Sequence, residues 1–127
     1  MTPAVKAWAP AALWAACLFV QSSIPGQYYP PAPFWSADKA VHGAVFLVLG
    51  FLCAHALRVR ARAPENRPRI FAAAAAMASL YGLSDEIHQL FVPGRSADWR
   101  DFAADAAGSA AGAWLYLAVT RARAPAR

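Results

Sequence analysis

A chain of 127 residues, 59% hydrophobic and only 15% charged, is one domain (residues 1–127) whose apolar residues come in long runs. No run carries the wide polar face that water requires, which argues against a soluble four-helix bundle. The net charge of +5 gathers in clusters beside the runs, so it calls for no nucleic-acid partner; such clusters suit anionic membrane headgroups.

Four runs stand out, at residues 5–24, 38–57, 70–92 and 101–120. A bilayer core about 30 Å thick needs roughly 20 helical residues. The expected fold class is therefore an all-α membrane protein, four transmembrane helices in a compact bundle.

The first run has one early positive charge, Lys6, but no small-residue cleavage pattern at its end, so it reads as a retained helix rather than a signal peptide. The stretch Trp14-Ala15-Ala16-Cys17 faintly resembles a lipoprotein cleavage site, yet the apolar run continues past the cysteine. Ser22-Ser23-Ile24-Pro25-Gly26 closes this helix. The loop that follows, with Tyr28, Tyr29, Phe34 and Trp35 among several prolines, is expected to lie flat at headgroup level.

The second helix opens on Ser36, a plausible N-cap, with Asp38 in its first turn. Asp38 and His42 are four residues apart and share a face. His55 falls near the other end and reads as interfacial. On the third helix Gly82, Asp85, Glu86 and Gln89 fall within an arc of about 100°, which must face protein, while Leu80, Leu83, Ile87 and Leu90 face lipid. His88 lies outside that arc. Pro93-Gly94 then makes the turn that carries Arg95. On the fourth helix Asp101, Asp105, Gly108 and Gly112 fall within about 60°, and the small-xxx-small pair predicts close helix approach that draws both carboxylates toward a neighbour.

Charge orients the helices. Lys6, Arg58, Arg60, Arg62, Arg67, Arg69, Arg121, Arg123 and Arg127, nine of the twelve basic residues, lie on one side, with Lys39, Arg95 and Arg100 on the other. By the positive-inside rule both termini are cytoplasmic. Six of the seven acidic residues, all but Glu65, then lie at the outer end. Acidic residues contribute little to orientation, so this clustering points to chemistry on the outer face.

These residues also carry a resemblance. Asp38-Lys39-x-x-His42, then Asp85-Glu86-x-x-Gln89-x-Phe91-Val92-Pro93-Gly94-Arg95-Ser96, then Asp101-x-x-x-Asp105-x-x-Gly108-x-x-x-Gly112 resemble the VanZ-like family of small bacterial membrane proteins, in order and over nearly the whole chain. The Ser22-Ser23-x-Pro25 ending fits as well. One departure is Asp105, where the family more often has Asn, which adds a carboxylate here. The resemblance implies a four-helix fold and a link to low-level resistance to the glycopeptide teicoplanin. It implies no reaction.

The function is therefore read from the site. Glu86, His42 and Asp85 are the candidate catalytic residues, with Arg95, Gln89, Lys39, Ser22 and Ser23 as candidate ligand-binding groups. Asp38, Asp101 and Asp105 are candidate ligands for a divalent metal ion, which would be Mg²⁺, Mn²⁺ or Ca²⁺, or zinc if His42 ligates. Five carboxylates this close need protons, Lys39 and Arg95, or a cation. Cys17 and Cys53 stand apart and form no disulfide framework. Two function classes stay open. One is a membrane enzyme acting on the phosphate or sugar end of an envelope lipid or lipid-linked precursor; the other is a binding or assembly protein whose polar cluster holds the helices in register. Membrane lipids are the expected partners in either case.

Overall fold

The computed structural model describes residues 2–31, 37–61 and 66–122. Phe34, Trp35, Ser36, Arg62, Glu65, Arg123 and Arg127, all used in the sequence argument, lie outside the described residues. Among the described residues the chain forms four α-helices: α1 (Pro3–Ser22), α2 (Ala37–Arg60), α3 (Arg67–Gln89) and α4 (Trp99–Ala122), with one 3₁₀ turn at Gly26–Tyr28.

Local chemistry sets each end. Thr2 Oγ1 accepts from the Val5 N–H at 3.4 Å, with Pro3 as the first helical residue of α1. Asn66 does the same for α3, accepting from the Arg69 N–H at 3.2 Å. Asp98 caps α4, its Oδ1 accepting from the Arg100 N–H at 2.9 Å, so this helix begins two residues earlier than the apolar pattern indicates. Helix α3 ends at Gln89 rather than running on to residue 92: Leu90 to Val92 wind down in single turns ahead of Pro93, which cannot extend a helix. Helix α1 stops at Ser22 for the same reason, with Pro25 three residues on.

Helices α2, α3 and α4 are long and apolar enough to cross a membrane. Helix α1 forms over 20 residues but is not one of these three; it carries Lys6, Pro10 and Gln21 along its length.

The tightest interface joins α2 to α4, and it is made of backbone. A Cβ at Gly108 would overlap the Gly43 carbonyl, one at Gly112 the Leu47 carbonyl, and one at Gly50 the Ser109 carbonyl. The interface thus needs small residues on both helices, as the Gly108/Gly112 pair predicted for one of them. Around it the core is largely alanine, with Ala54, Ala74, Ala78 and Ala113 fully buried beside Phe46 and Leu49. Helix α3 packs against both members of the pair, while α1 lies mainly along α2.

Buried polar side chains are costly in this setting unless satisfied, and several of them are satisfied by pairing between helices. The Trp14 indole donates to the Val45 carbonyl at 2.9 Å and the Tyr81 hydroxyl to the Ala15 carbonyl at 2.6 Å, fastening α1 to α2 and α3. His55 Nδ1 lies 3.2 Å from the Tyr116 hydroxyl, so it is an α2–α4 link rather than a free interfacial group. The outer surface is apolar, with Leu13, Val20, Leu80, Ile87 and Trp114 well exposed. Large apolar side chains exposed in this number fit hydrocarbon better than water.

Candidate functional site

Among the described residues seven polar or charged side chains are buried, and six of them (Ser22, Asp85, Glu86, Gln89, Asp101 and Asp105) meet at one end of the helices. The periodicity explains the convergence. Asp85, Glu86 and Gln89 share one face of α3, while Asp101 and Asp105 ride the face of α4 that its glycines press inward. Three groupings result.

The first fastens α1 to α3. Ser22 Oγ donates to Asp85 Oδ1 at 2.5 Å, and Gln89 Nε2 donates to Asp85 Oδ2 at 3.1 Å, so both carboxylate oxygens are satisfied. Ser23 Oγ donates to the Phe19 carbonyl at 2.6 Å and lies 3.0 Å from His88 Nε2, whose ring stacks on Phe19. His88 therefore has a protein partner rather than reaching for water. Ser22, Ser23 and Asp85, placed in the sequence reading among ligand-binding and catalytic candidates, are here groups that join helices.

The second is centred on Lys39. Its ammonium lies 2.5 Å from Asp101 Oδ1, 2.7 Å from Asp38 Oδ2 and 3.1 Å from Asp98 Oδ2. The Asp101 contact is close but poorly directed, an ion pair more than a hydrogen bond. Lys39 thus ties the head of α2 to the head of α4. Asp98, in the loop before α4, also turns its N–H to Glu86 Oε2 at 2.8 Å. The Arg100 backbone N–H and the Lys39 ammonium hold the Asp98 carboxyl below the usual carboxylate range.

The third is His42, Glu86 and Asp105. His42 Nδ1 lies 2.9 Å from Asp105 Oδ1, and His42 Nε2 lies 4.0 Å from Asp101 Oδ2. The three residues offer one ligand atom each within 4.8 Å of one another, a spacing that could hold a metal ion. Of the carboxylates considered from the sequence as metal ligands, only Asp105 belongs to this group. Asp38 and Asp101 are drawn to Lys39, whose fixed positive charge competes with any cation there.

Arg95 stands apart from all three. No carboxylate of the described residues lies within ion-pair distance of it; its guanidinium instead sits 4.6 Å over the Tyr29 ring. Tyr29 is held in turn by Gln21, whose Nε2 donates to the Tyr29 hydroxyl at 2.7 Å and whose carbonyl accepts from it at 2.5 Å. The two loops carrying Tyr29 and Arg95 lean on each other: the Gly26 N–H donates to the Pro93 carbonyl at 2.9 Å, and Gly94 takes φ +73°, which a glycine adopts without strain. Gln21, Tyr29 and Asp98 are the site residues that sequence reasoning missed. A tyrosine beside prolines reads as a membrane anchor, and its role here depends on where the other loop passes.

Between these groups lies a polar cleft of about 260 Å³, lined by Tyr29, Asp38, His42, Gln89, Arg95 and Asp101. Tyr29, Asp38, His42 and Arg95 also border an adjoining space of about 250 Å³ walled by Pro30, Pro31 and Val41. His42 and Val41 border in addition an apolar groove of about 280 Å³ between α1 and α2, walled by Trp14, Leu18, Val45 and Phe46. The arrangement is amphipathic, polar at the helix ends and apolar alongside α1.

No curated protein and no solved structure matches the chain. A family model described as VanZ/LLP1 matches residues 7–120, nearly the full length and all four helices. This chain belongs to the VanZ/LLP1 family.

Proposed function

We propose that this is a four-span protein of the bacterial cytoplasmic membrane, with both termini inside, whose outward cleft binds the anionic headgroup of an envelope lipid or lipid-linked precursor. The observation that carries the reading is Arg95. It is held over Tyr29 at the rim of a polar cleft, without a carboxylate partner among the described residues, and the cleft adjoins an apolar groove. A guanidinium so placed is free to grip a phosphate or carboxylate bidentately, which an ammonium cannot reproduce. The groove beside α1 accommodates an acyl or isoprenoid chain.

The nine-to-three division of basic residues supports the orientation, and α1, packed along α2, completes the bundle as its fourth span. Reporter fusions at Ala61 and at the C-terminus should read cytoplasmic, and one at Tyr28 should read external. A cytoplasmic signal at Tyr28 would put the cleft on the wrong side for an envelope substrate. The family resemblance implies a link to teicoplanin resistance, and a protein that engages a cell-wall precursor or its lipid carrier would alter access to the drug's target.

A non-catalytic assembly role is the second reading, and the Ser22–Asp85–Gln89 chain and the Lys39 ion pairs favour it, since both are spent on joining helices. Arg95→Lys separates the two. If Arg95 holds a headgroup, the lysine variant should insert and melt like the wild type while losing about tenfold in affinity for a polyprenyl phosphate or phosphatidylglycerol, measured by native mass spectrometry; this corresponds to about 1.4 kcal/mol for one charge-assisted hydrogen bond lost. Unchanged affinity in a stable variant would remove Arg95 from ligand binding and favour the assembly role.

A further inference from the structure

We infer that His42, Glu86 and Asp105 form a binding site for one divalent ion of the kind that accepts imidazole and carboxylate together, zinc or manganese. The three come from α2, α3 and α4, and their ligand atoms lie within 4.8 Å of one another. Donors around a tetrahedral ion with bonds of about 2.1 Å are roughly 3.4 Å apart. The ligand atoms would have to draw together by up to about 1.4 Å to close around it.

The cluster alone would prove little; its unspent oxygens carry the inference. Glu86 is 4% exposed and Asp105 fully buried, yet Glu86 Oε1 and Asp105 Oδ2 have no hydrogen-bond partner. The other oxygen of each is already engaged, Glu86 Oε2 by the Asp98 N–H and Asp105 Oδ1 by His42. Each carboxylate thus has one engaged oxygen and one buried oxygen left without a partner. A backbone N–H on one oxygen, as Asp98 gives Glu86, orients a carboxylate for ligation by the other. Two buried carboxylates side by side are costly without sufficient counter-charge; Lys39 is committed to Asp38, Asp98 and Asp101, and a single imidazole, His42, stands against the pair. A divalent ion would supply the missing charge.

The ligand set also limits the metal. Magnesium and calcium prefer oxygen throughout, whereas imidazole nitrogen with carboxylate oxygen suits zinc or manganese. His42 lines the cleft, so an ion there would be reached from the side on which Arg95 stands. This inference concerns the cleft of the proposed lipid site but does not rest on its evidence: metal uptake is measured without lipid, so either can fail while the other stands.

The test uses the full-length protein in detergent, stripped with EDTA and titrated with ZnCl₂, MnCl₂, MgCl₂ or CaCl₂. Bound metal is measured by elemental mass spectrometry and unfolding by thermal melt. The expected result is one zinc or manganese ion per chain and a raised Tm. Glu86→Gln and Asp105→Asn should each weaken uptake about 100-fold or more, since even partners one step removed from a metal are worth about 10- to 100-fold. Ser84→Ala, on the exposed side of α3, should leave uptake unchanged. Should a variant fail to insert, the wild type decides: EDTA must lower Tm and zinc or manganese must restore it where calcium does not. Binding of magnesium or calcium only, equal uptake by Asp105→Asn, or a melt indifferent to EDTA and to zinc would each overturn the site.

Discussion

Replacing Gly112 with leucine should leave almost no folded protein in the membrane fraction. Even a methyl group at this position would overlap the Leu47 carbonyl, and the neighbouring Gly108 is closed off in the same way by the Gly43 carbonyl. Overpacking a core ordinarily costs about 1 to 3 kcal/mol because side chains can shift. Here the obstacle is backbone of the facing helix, so α2 and α4 must separate along the seam that also brings His42 to Asp105. The loss should exceed about 3 kcal/mol, read as a collapse of the monodisperse peak in fluorescence-detected size exclusion. Gly112→Ala should fall between leucine and wild type. Ala111→Leu, one residue away on the exposed face, should be tolerated. A well-folded Gly112→Leu protein would mean that the two helices do not touch as described.

Lys39→Met carries the second large effect, and through charge rather than volume. The substitution keeps the aliphatic stem but removes the one ammonium shared by Asp38, Asp98 and Asp101. Breaking a buried ion pair costs about 3 to 5 kcal/mol because the remaining charge is stranded. The Lys39 side chain keeps 20% of its exposure and Asp38 43%, so water recovers part of the loss and about 2 kcal/mol is expected. Adding Asp101→Asn to Lys39→Met should restore stability in part, since it removes the least exposed of the stranded carboxylates. Thermal unfolding in detergent measures both variants. If Lys39→Met melts with the wild type, the ammonium is not the tie between α2 and α4.

Much of this arrangement was legible in the chain itself. The apolar runs located four helices because hydrocarbon tolerates no other spacing of polar groups, and the arc of Asp85, Glu86 and Gln89 pointed inward because its opposite face was leucine and isoleucine. Gly108 and Gly112 announced the close approach of α4, but the partner surface did not announce itself: Gly43 and Gly50 are seven apart on α2, and only the crossing geometry shows that they meet Gly108 and Ser109. Pairings between helices were the part that could not be read. That Ser22 serves Asp85, or that Lys39 takes Asp38 and Asp101 away from a metal, depends on how the helices are rotated against each other. The same holds for Arg95. Sequence placed it after a turn, as one of the charges that could answer the carboxylates; the loop carrying Tyr29, held by Gln21, gave it a neutral ring instead. Asp98 was visible only as a loop acid, although an Asp just ahead of an apolar run is a cap signal that could have marked the start of α4.

The central claim, that the cleft rimmed by Arg95 takes an anionic headgroup while α1 and α2 hold its chain, is tested most directly by an experimental structure in nanodiscs containing a polyprenyl phosphate. The account predicts phosphate density within hydrogen-bond distance of the Arg95 guanidinium, with chain density continuing past Val41 toward Trp14. A cleft without lipid density, with Arg95 swung from Tyr29 onto Asp101, would contradict it.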